Sequence, residues 1–539
     1  MPRSNKGTGR NTLAPALVLL FILAMSLLST ASFVAALNTN LKKGPNIAAS
    51  SHTATLLDPN PQLIDKNGNL IQNFNLPSNL TRSIGSIADG VSKLIIEVEV
   101  AHKDPLTFSI VGTNPKNQSD GTLSPLIASP GIEKPLSSIV VSPHPTTKNG
   151  TLVVVAVYTP PDFINEPTTA YKNITVSIND PENSSVLFSP AVIRLYHSPV
   201  VLVHGLWENP TVWTQGNFKQ NLANAHFDVI SADYSKYNAT TFDPYANKTF
   251  GNYGINATKY AIYFALNKLH NQSIAAAQAD VIAHSVGGLI ARGFVQQPDY
   301  NSSANYMKGY IHRLITIGAP HFGAQLAGPF YSHRNEWYCY APATKAIIFP
   351  TGCQFDPMDF ELMQLKTIYK NELHAPLDAG GVEALIPGSI AYSHLCPTNV
   401  KSYAIVGSWG PNAVASHYLM ESLFKNILGD PTFNLDTDGF RGNFQGDNDL
   451  QVNLTSQAGG LHTVFPISSN PEHDALPTES KGYNNTLHSS IFIAPSDQSL
   501  IQGELSSIQI QNDVSKLLNS DDGKFAGSIG IGAPCNIPK

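Results

Sequence analysis

A short apolar strand that runs directly into a serine and then into a helix is the feature that most constrains the fold of this chain. It lies at Ala279–Ala291 and reads Ala-Asp-Val-Ile-Ala-His-Ser-Val-Gly-Gly-Leu-Ile-Ala. A strand-to-helix turn this sharp needs small residues two positions before and two positions after the serine, because larger side chains would collide there. Ala283 and Gly287 meet this need. The pattern predicts a nucleophile elbow with Ser285 as the attacking group.

A second apolar strand, upstream of the elbow, ends in a turn that fits beside it. Pro199–Trp207 reads Pro-Val-Val-Leu-Val-His-Gly-Leu-Trp, and its continuous apolar run is typical of a parallel strand that is buried on both faces. Gly205 lets the backbone turn, so that the Leu206 amide is predicted to point into the site. The Val286 amide, directly after the serine, is the second predicted oxyanion donor. His204 is expected to brace the loop and not to transfer protons.

These motifs resemble those of the α/β-hydrolase lipase and esterase family, in particular bacterial-type lipases with an Ala-His-Ser-x-Gly-Gly elbow. The resemblance extends from Pro199 to about Leu518 and includes Asp228–Tyr234 (Asp-Val-Ile-Ser-Ala-Asp-Tyr) and Leu314–Gly323 (Leu-Ile-Thr-Ile-Gly-Ala-Pro-His-Phe-Gly). It implies an α/β-hydrolase fold, a mostly parallel sheet flanked by helices, with a late core strand at Val400–Gly407. It also implies functional residues in the chain order Ser, then Asp or Glu, then His.

The acid implied by this resemblance lies in a loop that reads Asn-Asp-Leu-Gln-Val-Asn-Leu-Thr-Ser. The loop resembles the family's Asn-Asp-Gly-x-Val-Pro-x-x-Ser segment, which puts Asp449 in the place of the acid. Leu450 and Asn453 stand where the family has Gly and Pro. Asp447 and Asp438 are the alternative acids, and a solvated acidic loop without catalytic function is the other interpretation.

The base must follow the acid, and three histidines are available: His462, His473 and His488. The family usually places its histidine on a loop shortly before the final amphipathic helix. Gln509–Leu518 has apolar residues at helical spacing and is predicted to be that helix. His488 fits best, followed by His473 and then His462.

Ser285, His488 and Asp449 together predict acyl transfer in two steps. The histidine removes the serine proton, the aspartate fixes the imidazole tautomer, and water then cleaves the acyl-enzyme. The predicted function is an exported carboxylic ester hydrolase, a triacylglycerol-lipase-like enzyme or an esterase, whose partner is a lipid or ester substrate. No metal or organic cofactor is expected. The alternatives are a cell-envelope binding or structural protein built on a degenerate hydrolase fold, and an acyltransferase or amidase that uses the same triad.

The start of the chain predicts export. Met1–Arg10 carries basic residues, and Asn11–Leu41 contains no charge and includes the apolar run Leu17–Leu28. A basic flank, an apolar core and small residues near Ala36 are typical of a secretory signal, so residues 1–36 are predicted to be a cleaved signal or, alternatively, an uncleaved membrane anchor. The mature protein is expected to be extracellular or at the cell surface, with possible association with the membrane or cell envelope.

Glycan acceptors and cysteines agree with an exported protein. The even number of cysteines predicts disulfides, with Cys339–Cys353 and Cys396–Cys535 as the favoured pairs among three possible connectivities. Their wide spacing, without a Cys-x-x-Cys pair, argues against a zinc site. Acceptor tripeptides begin at Asn79, Asn117, Asn149, Asn173, Asn183, Asn238, Asn247, Asn256, Asn271, Asn301, Asn453 and Asn484. Asn453 is not expected to be modified if its loop is buried.

The remaining segments predict two further structural parts around the catalytic domain at 197–539. At 539 residues the chain is too long for one ordinary domain, and residues 37–196 contain alternating or β-branched runs between Pro, Gly and Asn turns, which predicts an immunoglobulin-like β-sandwich. Residues from about 323 to 399 interrupt the core pattern, which predicts a cap or lid or, alternatively, a rigid subdomain. The aromatic residues of this segment include Phe330, Tyr331, Trp337, Tyr338, Tyr340, Phe355 and Phe360. A net charge of −6 without a basic cluster gives no support for nucleic-acid binding.

Overall fold

The part of the chain that the computed structural model describes runs from residue 52 to residue 538 with gaps. It comprises residues 52–112, 119–127, 136–146, 151–165, 169–182, 187–235, 241–246, 252–332, 380–409, 414–428, 432, 434, 448–465, 476–490, 493, 496–520 and 522–538. The predicted signal at 1–36 and most of the predicted cap lie outside these residues, as do Cys339 and Cys353. Among the described helices, none combines the length and the apolar character that crossing a membrane requires.

Strands make up the regular structure of the chain before residue 197. They are β1 (His52–Thr53), β2 (Thr55–Asp58), β3 (Thr81–Arg82), β4 (Gly85–Ile87), β5 (Leu94–Val100), β6 (Leu106–Ile110), β7 (Thr122–Pro125), β8 (Ser138–Val141), β9 (His144–Pro145), β10 (Leu152–Thr159), β11 (Tyr171–Asn179), β12 (Phe188–Ser189) and β13 (Ala191–Tyr196). The β-branched runs that predict strands in this region therefore form β5, β8, β10 and β11.

These strands form two larger sheets that share one core. The first sheet has the order β3-β2-β5-β10-β7, with β9 also paired to β10, and all its pairings are antiparallel. The second sheet contains β4-β13-β11-β6-β8 in that order. Phe108 and Ile174 of the second sheet lie in the same buried cluster as Ile96 and Val154 of the first. The immunoglobulin-like type of this pair of sheets stays a prediction.

The sequence of strand β10 is almost continuously apolar, and the packing of its two faces explains this pattern. Alternate side chains of a strand point to opposite faces. Val154 and Ala156 face the core between the two sheets, whereas Val153 and Val155 belong to a separate cluster on the outer face of the first sheet. Both faces of β10 are therefore buried.

The chain after residue 197 alternates between strands and helices. Its elements are β14 (Val200–Val203), α1 (Phe218–Asn224), β15 (Val229–Ser231), α2 (Tyr253–His270), β16 (Ile274–Ala275), β17 (Ala279–His284), α3 (Val286–Val295), β18 (Ile311–Ile317), α4 (Ala327–Ser332), α5 (Gly380–Ala384), α6 (Ile390–His394), β19 (Lys401–Ser408), α7 (Val414–Leu428), α8 (Leu454–Ala458), β20 (Ser480–Asn484), β21 (Thr486–Leu487), β22 (Gln502–Gly503) and α9 (Ile508–Leu518). Short 3-10 helices lie at Pro210–Asn217, Ser303–Asn305 and Asp522–Lys524. The predicted late strand and final helix correspond to β19 and α9.

A six-stranded sheet, here called the parallel sheet, forms the core of this part. Its order is β15-β14-β17-β18-β19-β20, and every pairing is parallel. One face packs against α2 and α3, where Val281 and Ala283 share a buried cluster with Ile262 and Leu289. The opposite face packs against α1 and α9, which is why strands β14, β17 and β18 are buried along their whole length. The mostly parallel sheet flanked by helices that the resemblance implies is therefore present.

Strand β16 links the parallel part of the chain to the second sheet. It follows α2, but it pairs in parallel with β4, so that Ile274 lies opposite Gly85. The Ile84 amide also donates a hydrogen bond to the Ser273 carbonyl at 2.9 Å. Residues Ser51–Lys539 accordingly group into one compact unit.

Candidate active site

The turn after β17 has the backbone geometry of a nucleophile elbow. Ser285 lies between β17 and α3 with φ 53° and ψ −130°, a strained combination for a residue with a side chain. A Cβ atom on Gly287 would lie 2.7 Å from the His204 carbonyl oxygen, so that only glycine fits at this position. Ala283 is fully buried in β17. Ala283 and Gly287, the small residues that a sharp strand-to-helix turn requires, therefore lie where the surrounding backbone leaves least room for a side chain.

Ser285, His488 and Asp449 form a continuous chain of hydrogen bonds. Ser285 Oγ is 2.9 Å from His488 Nε2, and His488 Nδ1 is 2.8 Å from Asp449 Oδ2. A carboxylate only accepts hydrogen bonds, so the proton of the neutral imidazole is on Nδ1 and Nε2 is left to accept the serine hydroxyl. The structure therefore brings together the three side chains that the chain order predicts, although they lie up to 203 residues apart.

The Asp449 side chain is fixed on both of its oxygens. Oδ1 accepts the amides of Gln451 at 2.9 Å and Val452 at 2.6 Å, and the His488 amide donates to the Asp449 carbonyl at 3.1 Å. Burial disfavours the protonated form of His488, but the charge and the hydrogen bond of Asp449 outweigh it and raise the pKa of the imidazole. The arrangement favours transfer of a proton from Ser285 to His488.

The two departures from the family's acid loop have local explanations. Leu450 has φ 72°, the left-handed conformation that glycine adopts without strain, and its side chain is buried. Asn453 replaces proline as the N-cap of α8, and its side chain accepts the Ser456 amide at 2.7 Å. Both replacements are therefore compatible with the turn that carries Asp449.

The loop after β14 lies directly beside the serine. A Cβ atom on Gly205 would lie 2.7 Å from Ser285 Cβ and 2.8 Å from Glu208 Oε2, so the loop passes close to the nucleophile only because residue 205 has no side chain. Leu206 follows in this loop and packs against the core cluster. Val286 is the first residue of α3, and the first amides of a helix have no acceptor within the helix. The two amides predicted as oxyanion donors thus belong to segments on either side of Ser285.

His204 braces this loop through contacts on three sides. Its ring stacks on Tyr234 with 3.8 Å between the centroids, and Nδ1 contacts the Gly205 carbonyl at 3.0 Å. The Tyr234 hydroxyl in turn donates to the His204 carbonyl. Burial lowers the pKa of His204, so this histidine is neutral. These contacts agree with the bracing role expected from the sequence.

His284, the residue before the nucleophile, joins the loop of Gly205 to the loop of His488. Its Nδ1 is 3.0 Å from Glu208 Oε2, and its Nε2 is 3.2 Å from the His488 carbonyl oxygen. Both partners can only accept, so both ring nitrogens carry protons and the side chain is a buried cation. Burial opposes this charge, but Glu208 first and Glu504 second raise the pKa of His284 to about 10.

Glu208 and Glu504 also belong to the site, although the sequence did not predict them. The Glu208 carboxylate accepts the Gly205 amide at 2.6 Å as well as the His284 proton. Its spacing of three residues from Gly205 is the one sequence signal that indicates such a turn. Glu504 is fully buried, with Oε2 3.4 Å from His284 Nε2 and 3.6 Å from His488 Nδ1. No motif marks it, because only the fold brings it to the site.

The other candidate acids and bases do not enter the described site. His462 is exposed on the loop after α8. His473, Asp447 and Asp438 lie outside the described residues.

Two side-chain clusters in the described part of the chain have the composition of a metal site. His284, His488 and Glu504 place ligand atoms within 4.8 Å of one another, and so do His102, Asp104 and Asp180. In the first cluster His284 donates from both nitrogens and His488 Nδ1 donates to Asp449, so neither imidazole offers a lone pair toward the centre. In the second, His102 Nδ1 already accepts the Asp104 amide at 3.3 Å, and Nε2 is 3.3 Å from Asp180 Oδ2.

Comparison with known proteins places the site within one family model. Residues 198–505 match the family described as Domain of unknown function (DUF7379). No curated protein matches the chain. This range contains Ser285, Asp449, His488 and Glu504.

Solved structures that are similar to the chain include three bacterial proteins. They are the mature lipase BlEst2 of Bacillus licheniformis (15% identity, 60% of this chain and 93% of that chain, TM-score 0.27), the phospholipase PlaB of Legionella pneumophila (13%, 60% and 61%, 0.34) and the Staphylococcus hyicus lipase (15%, 59% and 94%, 0.34). At these identities and TM-scores the likeness assigns neither a substrate nor a reaction.

Proposed function

The chain belongs to the family described as Domain of unknown function (DUF7379), and because this description names no activity, we propose from the site itself that the protein is a serine hydrolase. Its substrates are carboxylic esters, and the reaction passes through an acyl-enzyme. The observation that carries the proposal is the hydrogen-bonded chain from Ser285 Oγ through His488 to Asp449 at a strained strand-to-helix turn.

The proposed reaction begins with attack of Ser285 on the ester carbonyl. His488 Nε2 takes the hydroxyl proton, while Asp449 holds Nδ1 and stabilises the imidazolium that forms. The Leu206 and Val286 amides bind the oxyanion, and the N-terminus of α3 adds favourable electrostatic potential at the same place. His488 then donates its proton to the leaving alcohol, and water cleaves the acyl-enzyme by the reverse transfers.

We assign His284 and Glu208 a positioning role in this reaction. Glu208 holds the Gly205 amide, one residue before the proposed oxyanion donor, and His284 connects Glu208 to the backbone of the base. Each of these hydrogen bonds involves the charged Glu208 or the charged His284 in a buried or partly buried place, so each is stronger than a hydrogen bond between neutral groups. The pair keeps the oxyanion loop and the base loop at a fixed separation.

The natural ester is proposed at the level of a class: a lipid or another ester whose acyl chain fits beside Ser285. Transfer to an alcohol or cleavage of an amide would use the same residues. A series of p-nitrophenyl esters from acetyl to dodecanoyl, with product analysis for free acid, separates these reactions. Export of the protein is proposed from its basic and apolar N-terminus.

Covalent trapping tests the proposal. A fluorophosphonate probe should add one phosphonyl group to Ser285, detected by intact mass and peptide mapping, and should abolish ester turnover. Ser285→Ala should lower kcat by about 10³-fold or more while the protein remains folded, because only a hydroxyl is removed.

Ser393→Ala is the matched control, since Ser393 is half-buried outside the proposed triad and its hydroxyl donates to the Ile390 carbonyl at 2.7 Å. This variant should be labelled and should turn over ester like the parent protein. Full ester turnover by Ser285→Ala would refute the serine mechanism.

A further inference from the structure

Glu504 is held beside His488 by the pairing of two short strands. β21 and β22 run in parallel with Leu487 opposite Gly503, and the Glu504 amide donates to the Leu487 carbonyl at 2.9 Å. The next residues along the two strands are therefore His488 and Glu504. Their proximity follows from the backbone register and does not depend on one side-chain rotamer.

The carboxyl group of Glu504 is enclosed on its other sides by glycines. A Cβ atom on Gly407 would lie 2.6 Å from Glu504 Oε1, and a Cβ on Gly318 would collide with Oε2. Oε2 lies 3.4 Å from Nε2 of the His284 cation, but neither carboxyl oxygen makes a hydrogen bond of good geometry with a described residue, and the side chain is fully buried. A buried carboxyl without hydrogen bonds is costly, and an apolar residue of similar size would avoid that cost.

The position of Glu504 offers a function for this costly group. Its Oε2 is 3.6 Å from His488 Nδ1, the same atom that donates to Asp449 at 2.8 Å. We propose that Glu504 is a second positioning acid for His488. Its carboxylate can accept the hydrogen bond that His488 Nδ1–H donates, in place of Asp449. This inference rests on the proposed function, because it assigns Glu504 to the same acyl transfer.

The proposed step keeps the proton balance of the reaction. When Asp449 is absent, the Ser285 O–H bond breaks and an N–H bond forms at His488 Nε2. The Nδ1–H stays on His488 and is donated to the ionised carboxylate of Glu504. The proton of Glu504 has then already gone to solvent, so this route requires a pH above the pKa of Glu504.

The charged groups around Glu504 determine that pKa. Burial, with a smaller contribution from the Asp449 carboxylate, raises the pKa of Glu504 to about 7 against the opposing effects of His284 and His488. Glu208 lies beyond His284 and keeps that histidine charged. Removing Asp449 removes a repelling charge, so the pKa of Glu504 should fall and the carboxylate should be ionised at neutral pH.

A double-mutant comparison tests the proposal on the full chain. At neutral pH Asp449→Ala should lower kcat/KM for a short ester by about 10- to 100-fold, less than the roughly 10⁴-fold loss typical of a triad acid. Adding Glu504→Gln should cost a further factor of about 10 or more, approaching that typical loss. As a control, Glu479→Gln is added to Asp449→Ala in place of Glu504→Gln. It changes a carboxylate just before β20, at the end of that strand that is farther from His488 along the chain, and should cost nothing further.

The pH dependence distinguishes positioning from a structural effect. The ratio of kcat/KM between Asp449→Ala and the double variant should approach one at low pH, where Glu504 is protonated. It should increase as pH rises through the pKa of Glu504. A general loss of folding would not produce this pH-dependent ratio. Thermal unfolding of each variant provides a separate check.

Asp449→Ser is the second variant if Asp449→Ala does not fold, because its hydroxyl oxygen can still accept a backbone amide of the turn and places no amide donor against His488 Nδ1. The proposal is overturned if the ratio stays at one across the pH range, or if Glu504→Gln alone costs as much as Asp449→Ala. Failure of the proposed function looks different: Ser285→Ala would then keep its activity, whatever the result at Glu504.

Discussion

Two histidines in one site, His284 and His488, hold different numbers of protons because their partners differ. His284 faces a carboxylate on one nitrogen and a carbonyl on the other, so it donates from both. His488 faces a carboxylate and a hydroxyl, so its second nitrogen is available to accept. The ring centroids are 4.8 Å apart. At neutral pH the His284 cation therefore lies beside His488, a neutral base.

The pH profile of ester hydrolysis should reflect both histidines. On the acid side kcat/KM should rise with an apparent pKa above the ordinary histidine value of about 6.5, because Asp449 raises the pKa of His488 and only the neutral base accepts a proton. On the alkaline side activity should fall near pH 10, because the pKa of His284 is raised to about 10 and its cation is lost above that pH.

Glu208→Gln is the diagnostic variant for the alkaline limb. Loss of the Glu208 charge lowers the pKa of His284, so the limb should move to lower pH. Stopped assays with a non-ionising ester across pH 5–11 measure both limbs. An alkaline limb that does not move in Glu208→Gln would contradict the assignment to His284.

At the scale of elements, α8 holds the loop of Asp449 in place. It begins directly after the Asp449 loop, and its Gln457 side chain accepts the Gly407 amide at 2.7 Å, which attaches the helix to β19. The Ser456 hydroxyl donates to the Gly323 carbonyl at 2.7 Å. A short helix of five residues thus fixes the acid loop to two neighbouring segments.

Asn453→Ala should lower the free energy of unfolding by about 1 kcal/mol, the usual cost of losing an N-cap side chain. The reason is that the Ser456 amide loses its side-chain acceptor inside a buried turn. Urea unfolding followed by fluorescence measures the change. Asn453→Asp keeps an acceptor oxygen and serves as control; equal destabilisation by both variants would mean that the cap is not the cause.

The sequence predicted those parts of the site that depend on short segments. The elbow around Ser285 is encoded by five consecutive residues, and the acid loop keeps its Asn-Asp pair before α8. His488 was reached by chain order and by its place before α9. Glu504 could not be predicted, because its contact with His488 arises from the pairing of β21 and β22, two strands of two residues each. Such short strands carry no periodicity.

At the scale of the whole molecule, a disulfide ties the C-terminal segment back to the chain after α6. Cys396 and Cys535 are bonded across 139 residues with 4.6 Å between their Cα atoms, which confirms this predicted pair. Arg292 of α3 joins the segment of Cys396 through its buried guanidinium, which donates to the Leu395 and Cys396 carbonyls, both at 3.0 Å. A Cβ on Gly530 would collide with it. The C-terminal segment that contains Gly530 and Cys535 is therefore part of the packed structure.

Replacing both Cys396 and Cys535 by serine should lower the free energy of unfolding by about 2–5 kcal/mol, because the crosslink limits the unfolded chain across a long loop. Thermal unfolding without reductant should show the difference. The parent protein measured in excess reductant provides the control, and its transition should approach that of the double variant. Unfolding transitions that coincide without reductant would contradict a stabilising bond.

Glycosylation during the proposed export requires acceptor asparagines that are accessible at the surface. Asn453 is 4% exposed, as its expected exclusion from modification requires. The other described acceptors are exposed; they are Asn79, Asn173, Asn256, Asn271, Asn301 and Asn484. Intact mass and peptide mapping of protein from its native host should show occupied acceptors and a chain that begins near Leu37. An intact Met1 would favour the anchor.

The pairing of β16 with β4 has a practical meaning for anyone who dissects this protein. A fragment cut at Pro199 would retain every residue of the proposed triad, but β16 would lose its neighbour Gly85. The second sheet would in turn lose its terminal strand. Unpaired strand edges are templates for association between molecules. The boundary that the sequence suggests near residue 197 therefore passes through a shared sheet, and expression plasmids for catalytic work are best designed to include the strands that precede it.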